Sequence, residues 1–142
     1  MAIRSTFIAM PPFLRLLILD ERLRKRRTAT AVALFGIIVM VGSIPGARAE
    51  IGIVASGVVL HSIAYSVLSF LLFTGYTGTR TERAIKAVLT VAAMGAVDEL
   101  VQSMLPYRHG AVQDWTIDCI SSLATTLLLW AFLPEPAVTS EP

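Results

Sequence analysis

Charged residues are scarce in this 142-residue chain: Asp, Glu, Lys and Arg make up 15% of it, whereas hydrophobic residues make up 55%. The mean hydropathy is +0.70. Soluble domains carry about 25% charged residues, so this composition excludes an ordinary soluble domain. It indicates an integral membrane protein, whose apolar segments face lipid.

Cysteine is nearly absent, and neither charge sign is in strong excess. The one cysteine, Cys119, excludes an internal disulfide and a thiol-only metal site. The two histidines have no cysteines at a zinc-type spacing. The formal net charge is only +2, which gives no reason to expect nucleic acid as a partner. We therefore assign no metal ligand, no cofactor and no nucleic-acid interface from the sequence.

Four stretches with few or no charges are long enough to cross a bilayer as helices. Residues 28–47 contain no ionisable side chain, and residues 51–79 contain no Asp, Glu, Lys or Arg, with His61 their only histidine. Two later stretches carry acidic residues and are followed by Pro106 and Pro134. A helix needs about 20 apolar residues to cross the hydrocarbon core. The sequence predicts an all-α membrane protein with transmembrane helices at 28–47, 53–74, 84–105 and 113–133.

The flanks of this predicted four-helix domain, residues 28–133, differ from it. Residues 1–27 combine apolar residues at helical spacing with a run of basic residues, which predicts an amphipathic helix on an anionic membrane surface. Residues 134–142 are rich in Pro, Glu and Ser and predict a disordered tail. A cleaved signal peptide is an alternative for the first apolar segment, because an A-x-A-like triplet follows it. The length of that segment favours a retained span.

The distribution of Lys and Arg predicts the orientation in the membrane. Residues 1–27 hold seven of them and the connection between the second and third spans holds three, whereas the other two connections hold only Arg48 and Arg108. Basic residues near span ends favour the cytoplasmic side. We therefore expect a multi-pass protein of the bacterial cytoplasmic (inner) membrane with both termini in the cytoplasm. The region around Arg108 then faces outward.

Ionisable and amide side chains lie inside or next to three of the predicted spans. Charge buried in hydrocarbon is costly unless it is paired or hydrated, so such residues indicate a functional site by default. At about 1.5 Å of rise per residue, these side chains all fall in the outer half of the bilayer. We expect them to share one outward-facing polar cavity. The predicted ligand-binding residues are His61, Tyr65, Asp98, Glu99, Gln102, Arg108, Asp114 and Asp118.

Several of these residues form a composite motif. The segment DELVQ at 98–102 is followed by PYR at 106–108 and then by Asp114 and Asp118. This pattern resembles the D-E-x-x-Q … P-G-R … D-x-x-x-[N/D] signature of the VanZ-like family of bacterial membrane proteins. The chain departs from that signature at Tyr107, where the family has glycine.

Two further segments carry the same resemblance. SIPG at 43–46 resembles the family's turn after its first span, and HSIAY at 61–65 resembles its H-x-x-x-Y on the second. The likeness covers roughly residues 30–133. The family often has an Asp-Lys pair just before its histidine, whereas this chain has Gly57 and Val58.

The resemblance implies a four-helix cell-envelope protein associated with resistance to the glycopeptide teicoplanin, without a defined reaction. The residues themselves leave several functions open. Arg108 above a polar cavity fits an anionic, lipid-linked or glycolipid ligand in contact with membrane lipids. The carboxylates with His61 also fit an enzyme that acts on a lipid-linked phosphate, with a divalent cation held by oxygen ligands.

Two other interpretations involve no small ligand. Small residues on the first and third spans permit close helix contacts, which fits an accessory subunit with a membrane-protein partner. Alternatively, the polar cluster is a structural lock in which Arg108 pairs with Asp114 or Glu99 and fixes the loop.

Overall fold

The computed structural model describes residues 18–47 and 56–133 of the chain. Within these ranges the fold is all-α, as predicted, and no strand occurs. A short 3-10 turn, Glu21–Leu23, precedes the first long helix. The four long helices are α1 (Arg24–Gly42), α2 (Gly57–Gly75), α3 (Arg80–Ser103) and α4 (Val112–Phe132). The predicted tail and most of the predicted interfacial helix lie outside the described residues.

The bounds of α1 differ from the predicted span at both ends. The helix begins at Arg24, so the last basic residues of the N-terminal run belong to its first turn. It ends at Gly42 instead of continuing to residue 47, because the chain turns through Pro45 and Gly46. Gly46 has φ +83°, a conformation that favours glycine. The turn therefore shortens the helix relative to the uncharged stretch in the sequence.

α3 begins at Arg80, ahead of the predicted residue 84, because a capping box starts it. The Thr79 hydroxyl accepts from the backbone N–H of Glu82 at 3.2 Å, and the Glu82 carboxylate accepts from the backbone N–H of Thr79 at 2.8 Å. These bonds satisfy two N–H groups that a helix start otherwise leaves unpaired. The basic residues Arg83 and Lys86 consequently lie within the helix.

α2 is the central helix, because it packs against each of the other three, and α3 also packs against α4. Close contacts with small residues allow this packing: a side chain at Gly75 would collide with Thr28 and the backbone of α1. The buried apolar core consists of Ala31, Tyr65, Leu68, Leu72, Phe73, Ala87, Val91 and Leu133.

A buried arginine joins the beginning of α1 to the end of α2. Arg27 Nε and Nη2 donate to the carbonyl oxygen of Thr74 at 3.1 and 2.8 Å, and Nη2 also donates to the carbonyl oxygen of Asp20 at 3.1 Å. Arg27 is therefore a packing residue, a role that its place in a basic run does not indicate. Arg83 packs inside the bundle as well, because its guanidinium lies over the Phe73 ring, 4.9 Å from the ring centroid.

The helices bury polar side chains and expose large apolar ones. Asp98 is 2% exposed and Asp118 is 0% exposed, whereas Met40 and Leu89 are more than 60% exposed. Such an exposed apolar surface is unusual for a protein surrounded by water. α2 and α4 are each long and apolar enough to cross a membrane. These features are consistent with a membrane protein.

Candidate functional site

The eight predicted site residues meet at one end of the bundle, opposite the end that Arg27 joins. α2 contributes His61 and Tyr65 from its second and third turns, α3 contributes three residues from its last two turns, and α4 contributes two from its first two turns. Arg108 lies in the loop between α3 and α4. We refer to His61, Tyr65, Asp98, Glu99, Gln102, Arg108, Asp114 and Asp118 as the polar cluster.

His61 contacts both acidic residues of α4. Its Nδ1 donates to Asp118 Oδ1 at 2.8 Å, and its Nε2 lies 3.8 Å from Asp114 Oδ2. The two aspartates are four residues apart and therefore share the face of α4 that meets α2, as their spacing predicts. Each side chain in this triad is at most 13% exposed, so the contacts form away from bulk solvent.

Tyr65 connects α2 to α3. Its hydroxyl donates to Asp98 Oδ2 at 3.1 Å, and both residues are buried. The Tyr65 ring also stacks on the His61 ring, with the centroids 5.9 Å apart and the planes 1° apart. Since the two rings lie one helical turn apart, the i, i+4 spacing in the sequence already predicts that they share a face.

Arg108 holds the loop against α1 and α3. Its Nη2 donates to Gln102 Oε1, and its Nη1 donates to the carbonyl oxygen of Gly42 at 3.1 Å. The adjacent Tyr107 hydroxyl donates to the carbonyl oxygen of Ser43 at 2.6 Å. Arg108 thus bonds to an amide and a carbonyl, whereas the sequence interpretation paired it with Asp114 or Glu99.

Glu99 binds the start of α4. Its Oε2 accepts from the backbone N–H of Ala111 at 2.5 Å, which places a carboxylate at the positive end of the helix dipole. Gly110 permits this approach, since a side chain there would collide with the Glu99 backbone. The other carboxylate oxygen, Oε1, is buried and has no hydrogen-bond partner among the described residues.

Asp118 has one paired and one unpaired oxygen. Oδ1 accepts from His61, whereas Oδ2 is buried without a hydrogen-bond partner in the described part of the chain. Asp118 packs against Gly95 of α3, where an added Cβ would lie 2.9 Å from Oδ2. Gly95 therefore makes room for the buried carboxylate.

A cavity of roughly 290 Å³ lies beside the polar cluster, and its lining is mainly apolar. The apolar part of the lining comes from α1 and α2: Ile37, Ile38, Val41, Gly42, Leu60 and Ala64. Five members of the polar cluster complete it: His61, Tyr65, Asp98, Gln102 and Arg108. Glu99, Asp114 and Asp118 do not line it.

Sequence reasoning missed three residues that support the cluster: Gly42, Tyr107 and Gly110. Gly110 leaves space for Glu99, and Gly42 contributes only a backbone carbonyl. Gly95 is one of the small residues of the third span expected to permit close helix contacts, and it does so against Asp118. Tyr107 is visible in the sequence only as a departure from the VanZ-like signature.

Comparison of the chain with known protein families, with curated proteins and with solved structures finds no match.

Proposed function

We propose that this protein is a VanZ-like cell-envelope protein of the bacterial inner membrane. In this proposal its four long helices all cross the bilayer, both termini are cytoplasmic, and the polar cluster faces outward. The cavity beside the cluster binds an anionic or lipid-linked ligand. The composite motif in the sequence and the convergence of its residues at one end of the bundle support this assignment.

The apolar side chains on the outside of the bundle support four membrane-spanning helices. Exposed apolar side chains occur on every long helix, including Met40 of α1, Ile63 of α2, Leu89 of α3 and Leu127 of α4. Lipid is the solvent in which such a surface is stable. The acids of α3 and α4 do not oppose this, because Asp98 and Asp118 are buried inside the bundle and hydrogen-bonded there.

The position of the basic residues supports the orientation. Arg27 bonds to Thr74 at the end of α2, and Lys86 Nζ donates to the Thr77 carbonyl at 3.1 Å just beyond it. The start of α1, the end of α2 and the start of α3 are therefore at one end of the bundle. Basic residues at a membrane boundary favour the cytoplasmic side, which leaves the polar cluster at the opposite, outer side.

The mixed lining of the cavity is the observation that carries the proposed ligand. Arg108 and His61 contribute polar groups to the lining, and the apolar residues provide a surface for hydrocarbon. A small polar metabolite would leave the apolar lining uncovered, whereas an amphiphile with an anionic or glycan head would contact both kinds of residue. The implied association with teicoplanin resistance fits such a ligand, because teicoplanin is a lipoglycopeptide.

Native mass spectrometry of the protein extracted with its own lipids tests the proposal. The variant Ala64→Leu enlarges an apolar side chain that lines the cavity and that makes none of the cluster's hydrogen bonds. Ala93→Leu is the matched control, because Ala93 is an exposed alanine of α3 that does not line this cavity. We expect a bound lipid or lipid-linked molecule on wild type and Ala93→Leu, and its loss from Ala64→Leu.

Two results would contradict the proposal. Wild-type protein without a specific bound molecule would show that the cavity is not a ligand site and that the cluster is a structural lock. Equal retention of the molecule by Ala64→Leu would place its binding elsewhere. A stoichiometric protein partner in place of a lipid would favour the accessory-subunit interpretation.

A further inference from the structure

The polar cluster contains carboxylate groups whose charge is not balanced by the hydrogen-bond partners that the described residues provide. Asp98 accepts from a neutral tyrosine hydroxyl, and Glu99 accepts from a backbone N–H. Arg108, in the loop between α3 and α4, donates to Gln102 and to a carbonyl oxygen. Buried carboxylates of this kind require protons or a cation, because their desolvation is otherwise uncompensated.

Three side chains of the cluster offer ligand atoms that are close together. A nitrogen of His61 and carboxylate oxygens of Glu99 and Asp118 all lie within 4.8 Å of one another. Metal–ligand bonds are about 2.0–2.2 Å long, so two ligand atoms of one cation lie at most about 4.4 Å apart. The side chains must therefore shift slightly to bind one ion, and the ion would replace the proton that His61 shares with Asp118. The three residues come from three different helices, which gives the group a rigid support.

The unpaired oxygens are an independent indication of a missing ligand. Glu99 Oε1 and Asp118 Oδ2 are both buried without a hydrogen-bond partner among the described residues, and Asp118 is 0% exposed. Native proteins rarely leave buried polar atoms unpaired unless an ion or water satisfies them. Here both atoms belong to members of the same three-residue group.

We propose that His61, Glu99 and Asp118 bind one divalent transition-metal cation. A set of one imidazole nitrogen and two carboxylate oxygens suits Zn²⁺ or Mn²⁺ better than Mg²⁺ or Ca²⁺, which prefer oxygen ligands alone. Three protein ligands leave coordination positions for water or a ligand group. The group comes from residues 61, 99 and 118, so no local sequence motif reveals it.

The cation would also change the charge of the cavity wall. His61 and Arg108 both line the cavity. A metal ion bound to His61 would therefore lie at the edge of this cavity. Carboxylates repel an anionic ligand, whereas a bound cation attracts one. The metal inference does not rest on the ligand proposed above, because metal binding can be measured in the ligand-free protein.

Cobalt titration of the purified, chelator-treated full chain tests this site, with Co²⁺ as a visible probe and zinc content measured after reconstitution. We expect one Co²⁺ per chain with the spectrum of nitrogen and oxygen ligands. His61→Gln and Glu99→Gln are expected to weaken binding at least tenfold. The matched controls are His109→Gln and Glu82→Gln, which alter the other histidine, in an exposed loop, and a glutamate at the far end of α3.

The wild-type titration decides the question even if a cluster variant does not fold. Wild type that takes up no Co²⁺ or Zn²⁺, or that shows sulfur ligation through Cys119, overturns the metal site. Binding that His61→Gln keeps, or that His109→Gln loses, overturns it as well. A bound lipid without metal leaves the proposed function intact and removes this inference, whereas metal without a lipid does the reverse.

Discussion

Asp118 is a fully buried carboxylate, and its position depends on a residue with no side chain. Its Oδ2 packs against Gly95 of α3, and Trp115 Cδ1 lies 3.1 Å from the position that a Cβ at residue 95 would take. The small residue thus fixes how closely α3 and α4 approach each other at the polar cluster.

Gly95→Ala is therefore expected to destabilise the protein. The added methyl group would lie 2.9 Å from Asp118 Oδ2 and would force the carboxylate or α4 to move. Overpacking of this kind costs about 1–3 kcal/mol, measurable as a loss in the free energy of unfolding in detergent. Gly36→Ala is the control, because a Cβ there meets nothing within 4 Å. An equal loss in both variants would contradict the packing role of Gly95.

Tyr65→Phe tests the hydrogen bond between α2 and α3. It removes the hydroxyl that donates to Asp98, so the buried carboxylate loses a hydrogen-bond donor. We expect a loss of about 1–3 kcal/mol in the free energy of unfolding. Tyr76→Phe is the matched control, because it breaks a bond between two neutral hydroxyls near the other end of the bundle. A smaller loss for Tyr65→Phe than for Tyr76→Phe would contradict this interpretation.

At the residue scale, the sequence predicts which side chains share a helix face but not their partners. The spacing of His61 and Tyr65, and of Asp114 and Asp118, predicts the faces seen in the structure. One partner of Arg108, the Gly42 carbonyl, is not predictable, because it belongs to the backbone of α1, 66 residues away in the sequence. Pairs of this kind depend on tertiary packing, which leaves no periodic signal.

At the scale of elements, Arg27 couples two helix ends. The last carbonyl groups of a helix lack intrahelical donors, and the Arg27 guanidinium supplies two N–H groups to Thr74 near the end of α2. It also supplies positive charge at the negative end of the helix dipole. One side chain thus holds the start of α1 against the end of α2.

Arg27→Gln is expected to lower the free energy of unfolding by about 1.5–3 kcal/mol, the usual cost of losing buried hydrogen bonds to a charged group. Arg26→Gln changes an adjacent, exposed arginine and controls for the loss of a positive charge. We expect it to change stability by less than about 0.5 kcal/mol. Thermal unfolding in detergent compares the two. Equal effects would show that the charge of the basic run matters and the Thr74 contact does not.

Helix boundaries are predictable where the sequence carries a local signal of its own. Thr79 and Glu82 have the spacing of a capping box, which starts α3 at Arg80. The prediction from uncharged residues alone placed the start at residue 84 and missed this signal. Pro45 and Gly46 likewise mark the turn that ends α1 early. Charge-free stretches therefore locate the helices, whereas caps and turns set their ends.

At the scale of the whole molecule, the proposal depends on which side of the membrane the polar cluster faces. The basic residues of α1 and α3 and the polar cluster lie at opposite ends of the bundle. If the helices span the membrane, the loop between α3 and α4 and the loop between α2 and α3 must lie on opposite sides. The chain has a single cysteine, Cys119, so these positions can be probed individually.

Cysteine labelling in intact cells tests this arrangement most directly. In a Cys119→Ser background, His109→Cys places a thiol in the loop beside the cluster, and Thr77→Cys places one between α2 and α3; both positions are exposed. A membrane-impermeant maleimide is expected to label His109→Cys in intact cells, and Thr77→Cys only after lysis. Labelling of Thr77→Cys but not His109→Cys in intact cells would contradict the outward-facing site, and labelling of both would contradict the four-span topology.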